Sequence, residues 1–143
     1  DTVYMLSVSE GADVITNFES GSIGTDVLKF DQSIINNGIT VATLVSTTNV
    51  GATTTTGGFF EITTAAAAGA ADTAAEIVTH LTGLTLTGIA SGDDIVLAVN
   101  DAADMYLWHF IEDGSAGIQA DDLALVGVLK GVTDIANGDL AFI

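Results

Sequence analysis

The sequence predicts a mainly β domain: a β-sandwich or β-roll-like arrangement of about eight to ten short strands with one α-helix at about residues 72–82. Short runs of branched and aromatic residues recur along the chain, each bounded by Gly, Asn, Asp or Ser. A single stretch instead repeats its apolar residues at three- and four-residue spacing. Hydrophobic residues fill 48% of 143 positions and mean hydropathy is +0.54, enough for one core despite a formal charge of −17.

Residues 3–8 form the first apolar run. Gly11 opens a turn into residues 13–18, where apolar and polar positions alternate. Residues 24–30 repeat that form after the turn-rich Glu19-Ser20-Gly21-Ser22. Asn36-Asn37-Gly38 is a turn signal, and the branched residues over 39–45 read as a strand. Thr and Gly dominate 47–58, which reads as an exposed loop before a strand over 59–63. In the helix Asp72 is the expected N-cap and Glu76 falls in the first turn. Ile77, His80, Leu81 and Leu84 share its apolar spacing, and Gly83 is the expected stop. Strands are expected over 84–89, 95–99 and 105–111, while 123–129 is an apolar run of either type. No linker or shift in composition interrupts residues 1–143, which are expected to make one domain, the C-terminal fragment of a longer polypeptide.

The charge narrows the function. Two cations, Lys29 and Lys130, stand against 19 Asp and Glu, so a phosphate backbone or an anionic membrane surface repels the chain. No apolar run approaches the ~20 residues that span a bilayer. Without Cys there are neither disulfides nor thiolate metal sites, and two distant His do not make a transition-metal centre. Abundant hard oxygen ligands suit Ca²⁺.

Three segments share the form Gly-x-Asp-x-apolar: Gly11-Ala12-Asp13-Val14-Ile15, Gly24-Thr25-Asp26-Val27-Leu28 and Gly92-Asp93-Asp94-Ile95-Val96. Gly permits a turn that aims carbonyls and a carboxylate at one cation, and the apolar residue anchors the next strand. The run from Glu112 to Asp122 adds a degenerate loop of EF-hand type. The candidate metal ligands are therefore Asp13, Glu19, Asp26, Asp31, Asp93, Asp94, Asp113 and Asp122. Catalysis has no support. There is no Gly-x-Ser-x-Gly elbow and no phosphate-cradling loop, and the adjacent acids Asp93-Asp94 and Asp121-Asp122 read as solvated turns. His80 reads as a half-buried structural residue on the helix. His109 alternates with an aromatic stripe of Tyr106, Trp108 and Phe110 that reads as core.

Asp13-Val14-Ile15-Thr16-Asn17-Phe18, a short turn and Asp26-Val27-Leu28-Lys29-Phe30 resemble the segment that follows the repeat array of RTX proteins, bacterial proteins exported by type I secretion. Gly92 to Leu97, Tyr106 to Phe110, Asp121 to Leu125 and the closing Asp139-Leu140-Ala141-Phe142-Ile143 follow the order of that family's C-terminal ends. The resemblance implies a secreted, calcium-binding, non-catalytic domain that caps a calcium-dependent β structure. It also implies that Asp139, Leu140, Ala141, Phe142 and Ile143 are an uncleaved signal read by the type I secretion machinery. The family's nine-residue repeats are absent, and Asn17 stands where the family often has Asp. The Thr-, Ala- and Gly-rich composition admits a second expectation: a self-assembling subunit of a surface layer, adhesin or extracellular filament.

Overall fold

A computed structural model describes residues 1–21, 26–31, 34–35, 44–48, 50–54 and 58–143. Within them the chain is mainly β. In chain order the strands are β1 (Thr2–Met5), β2 (Asp13–Ile15), β3 (Val27–Phe30), β4 (Leu44–Thr47), β5 (Gly51–Thr54), β6 (Phe59–Ile62), β7 (Leu84–Thr87), β8 (Asp94–Asn100), β9 (Met105–Ile111), β10 (Leu123–Leu129) and β11 (Leu140–Phe142). One helix, α1 (Ala74–His80), precedes β7.

A six-stranded sheet in the order β2-β10-β9-β8-β6-β4 is flanked by a parallel sheet β1-β3-β11 and a parallel pair β5-β7. Successive strands step between sheets and return in parallel. β4, β6 and β8 lie side by side, while the intervening β5 and β7 pair with each other. This coiling is roll-like. Antiparallel β8-β9 and β9-β10 pairs hold the middle together.

Both faces of the central sheet are covered, so its inner strands read as continuous apolar runs. On one face Phe59, Val96, Ala98, Leu107 and Leu129 meet Met5, Leu28, Phe30 and Leu140 of the three-stranded sheet, and the Phe30 and Phe59 rings stand 5.7 Å apart. On the other, Phe60, Ile62, Ile95, Leu97, Trp108 and Phe110 meet Ala71, Ile77, Leu81 and Leu84. His109 falls on the first face, and its aromatic neighbours on the second, as the alternation requires.

Four local expectations are corrected. Thr73, not Asp72, is the N-cap of α1. Its hydroxyl accepts the Glu76 N–H and the Glu76 carboxylate accepts the Thr73 N–H at 3.1 Å, a capping box that starts the helix one residue later. The segment 47–58 is not simply a loop, because β5 lies inside it and pairs with β7. The strand beginning at Asp13 stops at Ile15, before Asn17 turns left-handed at φ 60°. The first strand ends at Met5, because Ser7 caps a 3₁₀ turn over Val8–Glu10. The run 123–129 is a strand with a bulge between Leu125 and Gly127. The expected turn at Asn36-Asn37-Gly38, most of the strand over 39–45, and Gly24 and Thr25 lie outside the described residues. No helix among the described residues is long and apolar enough to cross a membrane.

Candidate functional site

Acidic residues recur at the points where strands begin. Asp13 opens β2, Asp26 precedes β3, Asp94 opens β8 behind Asp93, Asp122 precedes β10 and Asp139 precedes β11. A strand entered from a tight turn leaves amide N–H groups without ladder partners, and a short carboxylate can reach them. Three of these acids use the same reach. Asp93 Oδ2 accepts the N–H of Ala90 at 2.7 Å, Asp122 Oδ2 that of Gln119 at 3.0 Å and Asp139 Oδ2 that of Ala136 at 3.0 Å. Each donor stands three residues before its acid.

Asp139 goes further. It is fully buried and also accepts from Ser20 Oγ at 2.8 Å and Gly21 N at 3.1 Å, tying β11 to the loop after β2. Asp26 accepts from the Glu19 N–H at 3.1 Å and pairs with the Asp1 ammonium group. That ammonium group first, and the Glu19 amide second, hold the Asp26 carboxyl below the usual range. Asp113 takes the Ser115 N–H at 2.7 Å, which lowers it too.

The other predicted ligands are spread out. Asp13 and Glu19 are exposed, and the Asp31 carbonyl accepts the N–H groups of Ile34 and Ile35. Asp93, Asp94 and Asp122, expected in solvated turns, are instead buried, at 8%, 7% and 8% exposure. The reason is that turn amides and the β8-β9-β10 core draw them inward. Burial pushes the Asp122 carboxyl up despite the Gln119 amide. Among the described residues no group of three His, Asp or Glu side chains has the arrangement of a metal site.

Two acids, Asp101 and Glu61, went unread in the sequence, as did the partner of His109. Asp101 takes the amides of Gly69 at 3.0 Å, Ala103 at 3.1 Å and Asp104 at 2.9 Å, closing the β8-β9 turn onto the segment before α1. Burial raises its pKa, but these amides outweigh burial and hold the carboxyl below normal. Glu61, on β6, is 3% exposed and accepts from Ser46 Oγ at 2.9 Å and Ile135 N at 3.2 Å. Burial first, and the Asp134 carboxyl beside it, push its pKa up. His109, 2% exposed, sets Nε2 at 3.1 Å from Asp94 Oδ1 without an aligned hydrogen bond. Burial lowers its pKa against the pull of Asp94. Spacing alone did not reveal the contacts to Gly69, Ile135 and Asp94, because those partners are distant in sequence.

The loops after β2 and β10 face each other across an open polar groove of about 550 Å³ lined by Glu19, Ser20, Thr133 and Asp134. Hydrogen bonds from amides satisfy most of the buried carboxylates among the described residues. No protein family, curated protein or solved structure matches the chain.

Proposed function

We propose that the chain is a non-catalytic structural domain of an extracellular bacterial protein of RTX type, exported by type I secretion and stabilised outside the cell by Ca²⁺. The observation that carries this reading is the place of the last five residues. β11 pairs in parallel with β3, Ile143 N–H bonds to the Phe30 carbonyl at 3.1 Å, and Asp139 has no exposed surface. An apparatus that grips this segment reaches it only while the chain is unfolded. Export then precedes folding, and the same residues afterwards serve as a closing strand.

Ca²⁺ enters through the charge. With most turn acids already bound to amides, its role is to neutralise the field of the remaining carboxylates, and binding to the folded state alone adds stability by mass action. Two measurements test the proposal. Residues 1–143 fused behind a reporter should leave cells that carry a type I exporter, and removal of 139–143 should retain the reporter inside. Millimolar Ca²⁺ should raise the melting temperature over that in chelator. Export without 139–143, or identical melting in both buffers, defeats the respective half.

A second reading, self-assembly, rests on strand direction. β4 and β2 are the outer strands of the central sheet, and both run parallel to β8. A translated copy therefore continues the sheet as a parallel ladder, with neither Lys nor Pro in either strand to block it. Sedimentation that stays monomeric at high concentration with Ca²⁺ would remove this reading.

A further inference from the structure

The turn into β11, Ala136-Asn137-Gly138-Asp139, places an Asn-Gly pair at the surface beside a fully buried carboxylate. We propose that Asn137 is a site of spontaneous deamidation and isomerisation that loosens the closing strand. The Gly138 main-chain nitrogen loses its proton to solvent hydroxide and attacks the side-chain amide carbon of Asn137. A C–N bond forms, the C–NH₂ bond breaks, and ammonia leaves with a proton from water. The resulting cyclic imide adds water at either carbonyl. One product is Asp at position 137; the other is isoaspartate, whose main chain runs through the former side chain.

Three observations favour the attack. Both residues are exposed to the water and hydroxide that the reaction consumes. Apart from the flanking residues, no atom lies within 4 Å of the place where a Gly138 Cβ would stand, so the turn is open to solvent on that side. The main-chain bond of this 3₁₀ turn, 2.9 Å to the Ala136 carbonyl, is donated by Asp139 and leaves the Gly138 N–H out of it.

The consequence follows from Asp139. Its carboxylate accepts the Ala136 N–H only because the two residues stand three positions apart, while Ser20 and Gly21 fix it from the other side. Isoaspartate inserts one extra main-chain carbon between them. The cap then fails or β11 shifts against β3, at the edge of its sheet. The plain Asp product keeps the spacing and adds only a surface charge.

Peptide mapping reads this cleanly. Lys29 and Lys130 are the only tryptic sites, and fragment 131–143 holds Asn137 as its sole Asn. After days in mildly alkaline buffer, that fragment from folded protein should gain about one mass unit and split into two products. Gly138→Ala should slow the gain by roughly tenfold or more, and Asn137→Gln should suppress it. The separated isoaspartyl form should melt below fresh protein, whereas Asn137→Asp should melt close to it. No conversion in the folded protein while the denatured chain converts, or equal conversion in Gly138→Ala, overturns the site. An isoaspartyl form that melts with the fresh protein overturns the loosening.

Discussion

At the scale of single residues, the acids divide by the sign of their effect. Asp101, Asp104 and Asp113 have lowered folded pKa values, from the turn amides, Lys130 and the Ser115 amide. Their stabilisation is complete above the ordinary carboxylate value of 3.8 and is lost as pH falls through the folded values. Glu61 and Asp122 act oppositely. Their raised values favour the folded state below the ordinary 4.5 and 3.8, and that advantage disappears as pH rises through the folded values. Glu61→Gln should therefore stabilise the protein by about 1 kcal/mol at neutral pH and lose that gain in acid, as measured by thermal melts across pH. Asp101→Ala should cost roughly 2–3 kcal/mol, since three amides lose their acceptor at once. The sequence made the acids conspicuous as oxygen donors. What each one faces was not legible, because the Gly69 amide reaches Asp101 from 32 positions away and Ile135 reaches Glu61 from 74.

At the scale of elements, the helix was legible because its apolar spacing is the only one of its kind in the chain. Its start slipped by one residue, because Asp72 and Thr73 are both good caps and only the distance to Glu76 separates them. Thr73→Ala should cost about 1 kcal/mol in a denaturant titration, while Asp72→Ala should cost far less. The buried strands β8 and β9 announced themselves as apolar runs. β5 did not, because Gly-Ala-Thr-Thr carries a strand's backbone without an apolar pattern, and its ladder with β7 arises from pairing across 33 positions. The bulge in β10 escaped for a related reason. Gly127 lies where a Cβ would stand 3.0 Å from Met5 Cε and 3.3 Å from Leu107 Cδ1, a closeness that only the assembled sheets reveal.

For the whole molecule, the dominant fact is −17 spread over a small fold. Self-repulsion of that size lowers stability at low ionic strength and relaxes as salt screens it. The melting temperature should climb as NaCl is raised. At matched ionic strength, any excess stabilisation by Ca²⁺ over NaCl measures direct binding rather than screening. The β class was readable from composition and turn spacing, and α1 from its apolar periodicity. The stepping of strands between sheets was not, since parallel returns leave no short-range mark on the chain.

The chain's one tryptophan supplies a private optical probe of half the fold. Trp108 is 3% exposed and donates its indole N–H to the Ala71 carbonyl at 3.1 Å, on the side that α1 covers. Its emission reports that compartment and is blind to the sheet holding β1, β3 and β11, whose tyrosine, Tyr4, is half exposed. If that sheet peels away first on heating, far-ultraviolet dichroism will fall while the indole spectrum stays blue. The gap between the two curves then times the order in which the halves come apart.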